Sequence, residues 1–413
     1  MDSTRQIYLV GGAVRDELLG LPIKERDWVV VGGAEEQMQA LGFQKVGKDF
    51  PVFLHPDTHE EYALARTERK IGKGYYGFEC DSSRKVTLEE DLKRRDLTIN
   101  AMAKSENGEI IDPFDGQKDL QNRILRHVSN AFGEDPVRIL RVARFAARFA
   151  HLGFTVAKET QELMKSMVVA KEVDYLVPER VWQELSRALA EPNPAVFIKV
   201  LKDSGALARI FPALDKLWGV PQEIKCHPEI DTGVHVMMAL DMSCRLTLDP
   251  KIRFAVLCHD VGKGVTPIEQ LPNHNGHEEL SAGIVQEWCK KYRVPNDYKE
   301  FAIHFARWHM YSHTVFKLTG ADLMKMFSAI DAFRNDKVLE EFLIAAESDH
   351  KGRQGTEELP YPQADFLRRA FSIAQQITAQ PFIKQGFNGQ DLGRELYQAR
   401  VNAVDEFCRT NGS

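Results

Sequence analysis

Cysteine is scarce and unpaired in this sequence: the six residues Cys80, Cys226, Cys244, Cys258, Cys289 and Cys408 lie scattered, with no Cys-x-x-Cys spacing. That pattern excludes a disulfide frame and a zinc knuckle, and fits free thiols in a reducing compartment. No apolar run reaches the roughly 20 residues that cross a bilayer, and no signal-peptide core is expected at the N-terminus. A soluble cytoplasmic protein without a membrane partner is the expectation. Positive charge is not in excess either: the net charge of −6 argues against a general nucleic-acid coat. A local basic groove remains compatible with it, because phosphates respond to local charge. Disorder is excluded by 43% hydrophobic residues beside 28% charged ones. At 413 residues the chain exceeds one ordinary domain, and about two to four are expected.

The first forty residues carry the densest pattern. Ile7-Tyr8-Leu9-Val10 is an apolar run of strand type, ended by Gly11 and Gly12. The glycines put no side chain between backbone and ligand, so main-chain N–H groups can approach phosphate oxygens. A helix start over Ala13 to Leu19 adds its dipole for the same anion, and Arg15 adds a cationic fork. Glu25 and Asp27 then alternate with Arg26, so on an extended chain both carboxylates share one face. Paired carboxylates opposite a phosphate site suit the magnesium ions of phosphoryl transfer. Either element alone marks only a turn, or a solvated edge before the buried Trp28-Val29-Val30-Val31 run. Their order favours the phosphate reading.

Further along, Glu61 opens a strand expected beside that pair. It is a third candidate carboxylate, or simply an edge residue in water. Thr67 to Phe78 is glycine-rich, basic and aromatic, the makeup of a mobile loop that touches RNA. Thr87 and Glu90 form a capping box ahead of Arg94-Arg95-Asp96. Glu134-Asp135-Pro136 is a good helix N-terminus. On the helix that follows, Arg138, Arg141, Arg144 and Arg148 fall within an arc of roughly 120°. Apolar residues such as Ile139, Val142 and Phe149 lie opposite. The plainer reading is an apolar face on the core and arginines in water. The sharper one is that an Asp acceptor beside an Arg fork matches the base edge of cytosine or adenine, not of uracil or guanine.

Residues 151 to about 227 read as helical and packing-dominated, with proline at the start of Pro178-Glu179-Arg180-Val181-Trp182. Histidines then cluster: His235, His259-Asp260 at the end of the apolar run Phe254-Ala255-Val256-Leu257, then His274, His277, His304, His309 and Asp349. Imidazole with carboxylate suits a transition ion that activates water for phosphoester hydrolysis. Buried histidines that are only hydrogen-bonded are the alternative.

The head motifs and the histidine set together resemble one family, the bacterial class II CCA-adding tRNA nucleotidyltransferases of the polymerase β superfamily, in the multifunctional form with an HD phosphohydrolase domain. That resemblance implies an α+β fold. It divides into a small mixed-sheet head (1–130), a helical neck and body (131–227), an HD domain (228–335) and a helical tail (336–413). It implies that Asp27 and Glu25 are catalytic and hold Mg2+, although the family usually has Asp-x-Asp and glutamate's extra methylene shifts the oxygens. Gly12, Arg15 and Arg95 would bind the nucleotide. Asp135 and Arg138 would read its base, and Arg141 and Arg144 would hold its triphosphate. His235, His259 and Asp260 match the HD pattern, with His259 and Asp260 catalytic and a transition metal, nickel, at the site. The partners implied are tRNA, ATP and CTP, in a monomer or homodimer. The activities implied are CCA addition and repair, and 2′,3′-cyclic phosphodiesterase, 2′-nucleotidase and phosphatase action. A poly(A) polymerase, and a phosphohydrolase with a degenerate RNA-binding head, are the rival readings. The missing basic C-terminal extension weighs against the first, and Glu25 is the one feature favouring the second.

Overall fold

A computed structural model describes residues 5–46, 52–70, 78–224 and 227–411. Most of the expected RNA-touching loop, Thr67 to Phe78, lies outside the described residues. The fold is α+β, a mixed sheet followed by helices. The chain divides into two compact units, Met1–Glu191 with Val196–Ile210, and Pro192–Ala195 with Phe211–Ser413.

The first nine strands of the first unit are β1 (Gln6–Val10), β2 (Asp27–Val31), β3 (Gln44–Val46), β4 (Val52–Leu54), β5 (Glu61–Leu64), β6 (Thr67–Lys70), β7 (Phe78–Asp81), β8 (Ala103–Ser105) and β9 (Ile110–Ile111). Seven of them form one sheet in the order β3-β4-β5-β2-β1-β8-β9, and β6 pairs with β7 separately. Alternation along β2 builds both faces of that sheet. Val29 packs with Val10, Leu92 and Ala103, while Val30 packs with Met38, Phe53 and Leu64. β1 runs antiparallel to β2 with Val10 opposite Asp27, and β5 runs parallel to β2 with Glu61 opposite Asp27. That register brings the acidic end of β2 beside the glycine turn.

Helix α1 (Gly12–Leu18) starts directly after β1. Gly11 makes the turn at φ +69°, and a Cβ there would lie 2.8 Å from Arg95 Nη1. The backbone therefore favours glycine, and any side chain there would push the Arg95 guanidinium aside. Helix α2 (Leu88–Lys93) has the expected capping box. Glu90 N–H donates to Thr87 Oγ1 at 3.2 Å and Thr87 N–H to Glu90 Oε2 at 2.9 Å. It ends before Arg94, and Arg94 and Arg95 fold back onto it, both pairing with Asp91 at 2.8 and 3.3 Å. Helix α3 (Val137–Phe149) is buried on both faces, Arg138 and Arg144 included. Its arginines do not simply face water. Helix α4 (Pro178–Leu189) packs against it.

The second unit is helical: α5 (Thr232–Leu246), α6 (Pro250–Cys258), α7 (His277–Tyr292), α8 (Asn296–His313), α9 (Gly320–Ala329), α10 (Lys337–Lys351), α11 (Pro362–Gln376) and α12 (Gly389–Asn411). From Phe254 to Cys258 α6 is apolar, because it packs against α5, α8 and α10 at once. His259 and Asp260 follow its last turn. The next residue but one must be small, since a Cβ on Gly262 would lie 2.4 Å from the His277 carbonyl at the start of α7. In the tail, α12 packs on α9 and α11, and Asp405 accepts the Gly320 N–H at 3.0 Å.

Candidate active sites

A cavity of about 730 Å³ in the first unit collects most of the head residues expected from sequence. Gly12, Arg15, Glu25, Asp27, Arg95, Asp135, Arg138, Arg141 and Arg144 all line it. Among the described residues its wall carries eleven basic and seven acidic side chains, so that wall is positive within a chain of net charge −6. Such a wall attracts a polyanion by local field rather than by total charge.

One expectation holds in part. β2 begins at Asp27, so Glu25 lies ahead of the strand, but it lines the same cavity as Asp27. The cause is register: β1 ends at Val10 opposite Asp27 and β5 starts at Glu61 opposite Asp27, leaving Glu25 no partner strand. Asp27 and Glu61, as register partners, leave the sheet on the same face. The acids press on one another. Loss of water raises Asp27 above the usual carboxylate range, Arg95 opposes this and Glu25 adds to it. Glu61 is raised by partial burial, then by Asp27 and Glu25. Among the described residues the three do not close to within 4.8 Å of each other. Hard oxygen donors whose repulsion a cation would relieve fit a hard divalent ion.

The cationic residues are fixed by partners the sequence does not announce. Arg15 is 2% exposed and donates to Asn100 Oδ1 at 2.5 Å and to Asp16 Oδ1 at 2.8 Å. Its fork therefore braces the glycine turn more than it reaches out. Arg95 Nη2 is 3.3 Å from Asp91 Oδ2, its Nη1 sits against Gly11, and its charge acts on Asp27. Arg141 Nε donates to Asp96 Oδ2 at 2.7 Å and Arg144 Nε to Glu184 Oε2 at 2.6 Å. Burial alone would raise Asp96, but Arg141 outweighs it and holds that carboxyl far below the usual range. Arg138 donates to the carbonyls of Ala131 at 2.7 Å and Arg94 at 2.6 Å. The carboxylate of Asp135 accepts from Val137 N–H at 3.0 Å and from Arg180 Nη2 at 3.1 Å. Arg180, at the start of α4, is a cavity residue that the sequence reading left to core packing. A basic residue directly after Pro-Glu at a helix start was the only signal.

The second unit gathers the histidines into one buried cluster. His235, His259 and Asp349 offer ligand atoms within 4.8 Å of one another, as do Asp260, His277 and His309. His235 Nε2 is 3.1 Å from Asp349 Oδ1, and His235 Nδ1 is 3.0 Å from Glu229 Oε1. His259 Nδ1 donates to the Val256 carbonyl at 2.6 Å, which leaves Nε2 as a lone pair. That Nε2 and Asp260 Oδ1 are buried without hydrogen-bond partners. Two orphaned buried donors beside anionic carboxylates fit a transition metal. Burial opposes the ionised forms of both acids, yet both are held well below the usual range. His259 and Lys263 do this for Asp260, and His313 and His259 for Asp349.

His277, His309 and Asp349 thus join the cluster, and His304 does not. Five positions from His309 on α8, it points about 140° away. His313, one turn past His309, was missed, although its i+4 spacing was a usable signal. Its Nε2 is 2.6 Å from Asp349 Oδ2. Lys263 reaches Asp260 Oδ2 at 2.7 Å and donates to Gln222 Oε1 at 2.7 Å.

Comparison with known proteins agrees with this geometry. Residues 7–126 match the poly A polymerase head domain, 153–217 the probable RNA and SrmB-binding site of polymerase A, and 232–362 the HD domain. Fold and site therefore define a nucleotidyltransferase carrying an HD domain. Over 399 residues the chain is 58% identical to the Multifunctional CCA protein of Thioalkalivibrio sulfidiphilus (strain HL-EbGR7), covering 97% of this chain and 98% of that protein. The Bacillus stearothermophilus CCA-adding enzyme in complex with CTP shares the fold at TM-score 0.66 and 24% identity, over 98% of this chain and 89% of that one. The Thermotoga maritima CCA-adding enzyme complexed with tRNA shares it at TM-score 0.62 and 21% identity, over 97% and 88%. The chain belongs to the family of multifunctional CCA proteins. Among the described residues no helix is long and apolar enough to cross a membrane.

Proposed function

We propose that the protein adds and repairs the 3′-terminal CCA of tRNA from CTP and ATP without a nucleic-acid template. The observation that carries this reading is the single cavity that joins the glycine turn, Asp27, Arg95 and the Asp135–Arg138 pair. The tRNA 3′ oxygen bonds to the α-phosphorus of the nucleotide, the bond from that phosphorus to the bridging oxygen breaks, and pyrophosphate leaves. Glu25, Asp27 and Glu61 would hold Mg2+, which supplies positive charge against the triphosphate and the attacking hydroxyl. Arg95, Arg141 and Arg144 neutralise the phosphates, and Gly12 lets the backbone approach them. Asp135 accepts the exocyclic amino hydrogens of cytosine or adenine while Arg138 donates to the neighbouring ring acceptor.

The HD cluster serves a second, hydrolytic activity on 2′,3′-cyclic phosphates and 2′-phosphates, suited to repairing damaged tRNA ends in the cytoplasm. His235, His259, Asp260 and Asp349 would hold a transition ion such as Ni2+, which supplies an activated water. Because Asp349 is among them, the HD part is drawn to reach past residue 335. The protein works as a monomer or homodimer. The decisive test incubates it with tRNA lacking its terminal triplet and each labelled nucleotide separately. CTP should give a two-residue addition and ATP should follow only after it. Unlimited ATP addition would favour a poly(A) polymerase instead.

A further inference from the structure

Arg353 stands at the edge of the HD cluster with its hydrogen bonds unmade. It follows α10, one turn past Asp349, and Gly352 brings the chain against α5. A Cβ on Gly352 would lie 2.4 Å from Ala239 Cα. The turn that carries Arg353 is tied down. Thr356 Oγ1 lies 2.6 Å from the His350 carbonyl and 2.9 Å from that of Arg353, and Gln354 N–H donates to Glu229 Oε2 at 3.3 Å. The backbone is thus fixed while the guanidinium is not. Its Nε is buried without a hydrogen-bond partner. Its one ion pair among the described residues joins Nη2 to Asp349 Oδ1 at 3.6 Å, beyond hydrogen-bond reach.

Asp349 cannot supply what is missing. Its Oδ1 is 3.1 Å from His235 Nε2, and its Oδ2 is 2.6 Å from His313 Nε2. Three further neighbours are imidazoles. Burial lowers His227, His313 and His350, and the charge of Arg353 lowers all three further. Lys263, the other cation of the cluster, differs: Asp260 Oδ2 and Gln222 Oε1 both hold it at 2.7 Å. A mostly buried guanidinium without hydrogen bonds, set on a fixed turn beside carboxylates and imidazoles, calls for an anionic ligand.

We infer that Arg353 grips the phosphate of a phosphomonoester at the HD cluster and sets a preference for monoesters over cyclic diesters. The inference rests on the reading of the cluster as a hydrolytic metal centre. A monoester has three terminal oxygens, so an ion and the guanidinium fork can each take their own. A cyclic diester has two terminal oxygens and one charge fewer, which leaves less for the fork.

The test compares the full chain with Arg353→Gln and Arg353→Lys on adenosine 2′-phosphate and adenosine 2′,3′-cyclic phosphate. Arg353→Gln should lower kcat/KM for the monoester by about 10- to 100-fold and for the cyclic diester by less than about 5-fold, with part of the loss recovered in Arg353→Lys. A binding measurement accompanies this. In an Asp27→Ala background that disables the acidic seat of the head, the visible spectrum of bound Co2+ is titrated with inorganic phosphate. Arg353→Gln should need at least about tenfold more phosphate for the same spectral change while holding as much Co2+. If that variant does not fold, Arg353→Lys decides. Equal losses on both substrates, or loss of bound Co2+, would show that Arg353 only steadies Asp349 and would overturn the phosphate grip. Hydrolysis of neither ester by the parent protein would overturn the hydrolytic reading and the grip with it.

Discussion

Replacing Asp135 by alanine separates base reading from everything else the cavity does. The side chain has two structural duties: it accepts the Val137 N–H at the first turn of α3 and pairs with Arg180. Losing a cap-like acceptor costs about 1 kcal/mol. A partly exposed ion pair adds about 0–1 kcal/mol. The variant should therefore lose roughly 1–2 kcal/mol of stability and still fold. Arg138 stays in place, since the carbonyls of Ala131 and Arg94 hold it. Arg141 and Arg144 keep their own carboxylates, so triphosphate binding should change less than base selection. A bidentate base contact is worth about 1–3 kcal/mol of discrimination. The CTP-to-UTP ratio should then fall by a factor of about 5 to 150. The assay is incorporation efficiency for each nucleotide on tRNA lacking its terminal triplet, with urea denaturation run alongside. If every nucleotide slows equally and the ratio is unchanged, Asp135 only positions the helix, and the base-reading role is wrong.

Three further outcomes follow from the same geometry. Asp27→Ala should abolish nucleotide addition and leave hydrolysis of a phosphomonoester at the HD cluster intact, because the two sites share no residue. Equal loss of both in a folded variant would remove the two-site reading. Glu25→Asp should preserve or raise the addition rate, since the shorter side chain matches the family's usual residue. Much slower addition with normal CTP binding would mean that the site is adapted to glutamate. Asp96→Asn should cost about 1–3 kcal/mol near neutral pH by leaving Arg141, itself a third exposed, without its charged partner. Because folding depresses Asp96, its contribution is full above the unfolded value of about 3.9 and is lost as pH falls below that. The gap between the two proteins should therefore start to narrow below about pH 4 and keep narrowing as pH falls toward the much lower folded value, and a gap that widens on acidification would refute the assignment.

What the sequence made legible was local. Alternation around Val29 and Val30, the capping box at Thr87, and the His259–Asp260 step after an apolar helix are all readable within a few residues. Asp27 and Glu61 were expected side by side, and strand pairing brings them there. The expectation held only in part where strand ends depend on neighbours: nothing around Glu25 reveals that β1 and β5 stop supplying partners at Asp27.

The arginines of α3 show why the rest was hidden. Spacing correctly put Arg138, Arg141, Arg144 and Arg148 on one arc, and water was the plain expectation for that arc. Phe145 falls inside the same arc, and the guanidinium groups of Arg141 and Arg144 lie over its ring at 5.7 and 4.4 Å. Their acidic partners, Asp96 and Glu184, are 45 and 40 residues away in sequence. No periodicity within a helix can encode a partner at that range. Yet those partners decide what the helix does. Buried carboxylates hold Arg141 and Arg144 through Nε, so each guanidinium plane is set before a nucleotide arrives. The ordering entropy of long side chains is then met during folding rather than at binding. A positive cavity in an acidic chain is thus a product of tertiary pairing, which is why composition argued against it and local motifs could only suggest it.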